Sequence, residues 1–177
     1  MQADNTPTET QRDVFTILAA AALVDGEFRP LESAELDALM RRCRTFRSLD
    51  GPARDEMRKD IVRHVRKSLE ADDTRDDRVV DACIRLRRTS HGHDVSGVCR
   101  AVLLHALDLV HADDHLTPSA RRSASGMHPK EARFIELLKY LLIDAPDNAL
   151  EQRPIVPPPI AWRQFRENEL MALKNAI

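Results

Sequence analysis

"LVDGEFRPLESAEL" runs from Leu23 to Leu36 and joins two apolar-periodic stretches. Before it, Phe15, Leu18, Ala19, Ala22 and Leu23 recur at helical spacing; after it, Leu36, Leu39 and Met40 do the same. Asp25-Gly26 stands at the end of the first stretch. Glycine tolerates the left-handed conformation that stops a helix, so Gly26 is read as a C-terminal stop. Pro30 suits the first turn of a new helix beginning near Leu31, with Glu32 facing its free N–H groups. The stretch therefore reads as the turn of a helical hairpin. A calcium-binding EF-hand loop carries further acids ahead of its glycine, and here Leu23 and Val24 precede Asp25 instead.

The rest of the chain supports a helical reading. Of 177 residues, 42% are hydrophobic and 32% charged, while aromatics are 4% and glycines number five. Sheets favour β-branched and aromatic residues with glycine turns, and this composition favours helix. The length suits one domain with a real core. The first helix is expected to start at Thr8 or Thr10, with Glu9 and Asp13 suiting its positive end. Arg41, Arg42 and Arg44 suit the negative end of the second. A third starts behind Asp50 and Pro52 and presents Met57, Ile61, Val65 and Leu69 as one row; its charges of both signs read as a solvated face. A fourth, capped by Asp76 or Asp77, turns Val79, Val80, Cys83 and Leu86 inward. A fifth, capped by Asp94 or Ser96, runs through Val98, Val102, His105, Ala106 and Leu109. A sixth, "HPKEARFIELLKYLLI", buries Phe134, Ile135, Leu138, Leu141 and Leu142. After a proline-rich connector, a last amphipathic helix carries Trp162, Phe165, Leu170 and Leu173. The expected organisation is an arm over 1–9, a helical domain over 10–144 with a loop insertion at 117–127, and a connector and terminal helix over 145–177. The fold class is all-α, a single-domain bundle of about seven helices.

The opening stretch has an echo. "AAALVDGEF" (Ala20–Phe28) aligns with "DLVHADDHL" (Asp108–Leu116), pairing Asp25 with Asp113. With 117–127 treated as an insertion, "RPLESAELDAL" aligns with "HPKEARFIELL". Pro30 then pairs with Pro129, Glu32 with Glu131, Leu36 with Ile135 and Leu39 with Leu138. A duplicated helical hairpin stacks two such units around one core.

Two helix–Asp-Gly–Pro–Glu–helix units separated by about two helices resemble the TerB tellurite-resistance family, a domain also found in some J-domain co-chaperones. The resemblance covers roughly Val14–Asp144. "VDGEFRPLE" matches the first motif. The second, "ADDHL…HPKEARFIELL", has Asp114 in place of the glycine and eleven extra residues in the turn. The resemblance implies an all-helical bundle whose acidic turn residues are candidates for a divalent-metal or partner site. On this chain those are Asp25, Glu32, Asp113 and Glu131, with Glu35, Asp108 and Asp114 near enough to join. Hard cations take several oxygen ligands, so calcium or magnesium is the expected ion. Capping chemistry alone also accounts for an Asp after a helix and a Glu in the next first turn.

Other chemistries find less support. The net charge of −2 offers no basic field for nucleic acid. No nucleophile elbow or phosphate-cradling loop is present, so no enzyme is expected. Cys43, Cys83 and Cys99 lack zinc-ribbon spacing and read as reduced, partly buried thiols. His111 and His115 are four apart, but no Glu lies between them and the run crosses a helix end; a metal-dependent hydrolase would need both to meet Asp108 in one pocket. The polar start has no signal-peptide pattern, and "ILAAAALV" is far short of the ~20 residues of a membrane span, so a cytoplasmic protein is expected. The expected action is a non-enzymatic stress response through an acidic, divalent-metal-binding surface. The alternative is a metal-independent interaction module using the acidic face and terminal helix. Either way a protein partner is expected, and Trp162 and Phe165 are candidates to dock it or to form a homodimer through the C-terminal segment.

Overall fold

The computed structural model describes residues 6–70, 77–89, 95–112, 129–147 and 150, and every element among them is helical or a turn. In chain order these are α1 (Glu9–Ala21), α2 (Pro30–Arg42), a 3-10 turn (Arg44–Phe46), α3 (Gly51–Glu70), α4 (Asp77–Thr89), α5 (Val95–Val110), α6 (Pro129–Lys139) and a wider π-helical turn (Tyr140–Asp144). The fourth-helix cap at Asp76, the fifth-helix cap at Asp94, and the terminal helix with Trp162 and Phe165 lie outside the described residues.

Local chemistry sets the helix ends. Thr8 caps α1: its Oγ1 accepts from the Gln11 N–H at 3.2 Å, and the Gln11 Oε1 accepts from the Thr8 N–H at 2.8 Å. Asp50 caps α3 by accepting from the Ala53 N–H at 2.9 Å. Gly26 does not stop α1, which ends at Ala21 with Ala22 as its C-cap; it lies four residues further on, at a φ of +94°, where its N–H donates to Leu23 O at 2.9 Å in the turn that reverses the chain towards α2. Nothing would meet an added Cβ there within 4 Å. Gly26→Ala should therefore destabilise through backbone strain alone, by about 1–2 kcal/mol, read as a lower denaturation midpoint with an unchanged m-value.

α1 sits at the centre. Val14, Phe15, Ile17, Leu18 and Ala19 to Ala21 of α1 are buried, as are Ala22 and Leu23 after it, so most of the helix is enclosed while Glu9 and Arg12 stay exposed. α3, α4, α5 and α6 all pack on it. The run of alanines lets these neighbours approach closely. Phe15 meets Phe46 of the 3-10 turn edge-to-face, with centroids 6.2 Å apart. The buried apolar side chains form one cluster, which extends past the expected boundary at 144 to Ala145 and Leu150. Arg87 on α4 helps hold that end down: its Nη1 donates to Leu141 O and Ala145 O, and its Nη2 to Asp147.

Three expectations need correction. Phe134, expected to be buried, is only partly buried against the core, whereas Ile135, Leu138, Leu141 and Leu142 are buried. Arg44 belongs to the 3-10 turn and not to the end of α2. The sixth helix is not α-helical to its end, because its last five residues widen into the π-helical turn.

The echo in the sequence has a counterpart in space. α2 and α6 both begin at the paired prolines, Pro30 and Pro129. The paired apolar residues Leu36 and Ile135, and Leu39 and Leu138, are all fully buried. α1 packs on α5, α2 on α5, and α6 on α1 as well as on α5. Each hairpin's second helix thus contacts the other hairpin's first.

Candidate functional site

Charged or amide side chains rarely sit inside a bundle unless paired. Among the described residues four polar side chains are buried: Gln11, Asp13, Glu32 and Glu131. Two of them are the paired glutamates, at 2% and 7% exposure, each in the third position of its helix.

The first acidic turn is densely bonded. Glu32 Oε2 accepts from the Arg29 N–H at 2.8 Å, closing half of a capping box; the guanidinium has no acceptor to return the bond. Asp25, with its side chain 8% exposed, accepts from the Glu27 N–H at 2.9 Å and faces Arg29 Nη2 at 3.4 Å. Arg29 also pairs with Glu27 at 2.9 Å. The turn thus holds a cation of its own, the Arg29 guanidinium, against Asp25.

The remaining candidates divide. Glu35 is drawn away to Arg42 on its own helix. Asp108 is exposed on α5 and lies 3.9 Å from His105 Nδ1, which takes it out of the acidic-turn set. Asp113, Asp114 and His115 lie outside the described residues, so the meeting of Asp25 with Asp113 and that of His115 with Asp108 and His111 do too. Among the described residues, no three acidic, histidine or cysteine side chains converge as a metal group would require. Asp25, Glu32 and Glu131 carry oxygen donors of the kind a hard divalent ion takes, but the three do not form such a group.

Two further arrangements escape sequence reasoning. Asp13, expected as a dipole partner at the start of α1, instead receives Arg85 of α4 in a forked contact, at 2.6 Å from Nη2 and 3.1 Å from Nε. Gln11 of α1 donates from Nε2 to Thr45 O at 2.7 Å in the 3-10 turn and to Ser48 Oγ at 2.8 Å beyond it. Neither pairing has a signal in local spacing, since the partners lie far apart in the chain. An open cleft of about 900 Å³ between the start of α1 and α3 is lined by Arg12, Asp55, Glu56, Lys59, Asp60 and Arg63. Its interleaved charges of both signs select no one ligand class.

No family model, no curated protein and no solved structure matches the chain. Among the described residues no helix is long and apolar enough to cross a membrane.

Proposed function

We propose that the chain is a TerB-like, non-enzymatic module of the cytoplasmic stress response that acts through its acidic hairpin turns. In this reading each turn offers one Asp and one Glu, Asp25 with Glu32 and Asp113 with Glu131, as oxygen donors to a divalent cation, calcium or magnesium. The observation that carries it is the burial of Glu32 and Glu131 at equivalent positions of two hairpins whose first helices pack together. One capping glutamate on a surface helix is ordinary; two matched and buried ones mark a duplicated feature kept on both sides. The terminal segment with Trp162 and Phe165 completes a single domain as a seventh helix and offers the protein partner its docking point.

The density of internal bonds favours a second reading. Glu32 already caps α2, and Asp25 already has Arg29 and the Glu27 N–H. With those contacts kept, the turn is a rigid acidic surface for a protein partner and needs no metal.

Thermal melting separates the two. A cation at ten times its dissociation constant adds about 1.4 kcal/mol, which for a chain of this size raises Tm by roughly 3–6 °C. Asp25→Asn should abolish the shift. Arg29→Ala should enlarge it, because the resident guanidinium no longer competes for Asp25. An unmoved Tm with calcium and with magnesium, in the wild type and in Arg29→Ala, rejects the metal and leaves the interaction module.

A further inference from the structure

The chain between α2 and α3 is basic. "RRCRTFR" (Arg41–Arg47) carries Arg41, Arg42, Arg44 and Arg47, and all four are exposed. The acids nearest to them along the chain are committed elsewhere. Glu35 pairs with Arg42, Asp37 with Arg58 of α3 at 2.6 Å, and Asp50 caps α3 through the Ala53 N–H. Arg41, Arg44 and Arg47 have no ion pair and no side-chain hydrogen bond among the described residues. By contrast Arg12, Arg29, Arg58 and Arg85 each face a carboxylate. The fold thus holds three guanidiniums together at one place and supplies no anion for them.

The turn that presents them is fixed from behind. Phe46 is fully buried and Leu49 nearly so. Gln11 Nε2 of α1 ties down both Thr45 O and Ser48 Oγ. The N–H groups of Phe46, Arg47 and Leu49 donate in turn to Cys43 O, Arg44 O and Phe46 O. Side chains three apart eclipse in a 3-10 turn, so Arg44 and Arg47 leave the backbone on one side, away from the core-facing Phe46. The backbone is ordered before any partner arrives, which lowers the cost of binding.

Charge and surroundings select the occupant. A guanidinium is a planar fork that matches a carboxylate or a phosphate. Single-stranded nucleic acid also stacks its bases on aromatic rings, and the ring of this turn, Phe46, is packed inside against Phe15. A duplex draws on an extended basic field, which a chain of net charge −2 does not offer. The thirteen residues of α2 place the acidic turn about 20 Å away, well beyond the ~8 Å range of charges at physiological salt. The basic turn therefore keeps its own local field.

We propose that Arg41, Arg44 and Arg47 form a docking surface for an acidic segment of a protein partner, rich in Asp and Glu, with Arg44 and Arg47 each forked onto a carboxylate. The acidic turn at the far end of α2 repels the same segment, so the helix sets the direction in which the partner lies. The surface shares no residue with the acidic turns and stands whether or not they bind a cation.

The test is fluorescence anisotropy of fluorescein-labelled hexaglutamate with the full chain at low ionic strength, beside hexaglutamine and a thymidine hexanucleotide. Hexaglutamate should bind, hexaglutamine should not, and added salt should weaken the complex. Arg44→Gln and Arg47→Gln should each weaken it about threefold, and the double variant about tenfold. Arg44→Lys keeps the charge without the fork and should lose less than Arg44→Gln. Arg88→Gln removes an equal charge from the exposed surface of α4 and should have little effect. All these positions are exposed, so the variants should melt with the wild type. Equal losses in Arg44→Gln and Arg88→Gln, tighter binding of the hexanucleotide than of hexaglutamate, or no binding of hexaglutamate overturns the proposal.

Discussion

Phe15→Ala is expected to destabilise the protein by about 3–5 kcal/mol, the range for emptying a fully buried aromatic site. Phe15 is at the centre of α1, and α1 is the element on which four other helices pack. Its ring also loses the edge-to-face contact with Phe46. At roughly 2–4 °C per kcal/mol, the melting temperature should fall by about 6–20 °C. Phe15→Leu keeps more of the volume and the apolar surface, so it should cost about half as much. Equilibrium urea denaturation of the two variants checks the order. A loss below about 1 kcal/mol for Phe15→Ala would contradict the central place of α1.

The second large effect concerns Asp13 and Arg85. The Asp13 side chain is 6% exposed and that of Arg85 44%, so the two ends of the pair are unequal. Arg85→Ala leaves a buried carboxylate without its guanidinium and should cost about 2–3 kcal/mol; the figure is below that of a fully buried pair because the arginine is half in solvent. Asp13→Ala should cost less, about 1–2 kcal/mol, because the freed Arg85 extends into water and towards Glu9, already 3.4 Å away. The asymmetry is the distinguishing feature: equal losses in chemical denaturation would mean that Asp13 is as hydrated as its partner.

The acidic turn shows why capping and ligation are hard to tell apart from residues alone. Both require carboxylates beside free N–H groups at the start of a helix. In space the Asp25–Arg29 contact and the Glu32 cap make the turn self-sufficient, so a cation has to displace a guanidinium to enter. That competition makes Arg29→Ala the informative variant.

What the sequence determined by itself was local. Thr8, Gly26, Pro30 and Asp50 each act within about one turn of their own position, because caps and backbone conformations depend on near neighbours. The helical class of the described residues, the inward Met57, Ile61 and Val65 of α3, the inward row of α4, and the matched positions of α2 and α6 followed from periodicity for the same reason. Tertiary structure alone decided what distant residues meet: Asp13 with Arg85, and Gln11 with Thr45 and Ser48. It also decided that Val98 faces outward, since an apolar residue on an almost wholly apolar helix faces whichever side its neighbours leave open. A periodic pattern specifies that a helix has a buried face. Which side chain lies opposite that face is set by the packing of the other helices, and no residue carries that information in its own neighbourhood.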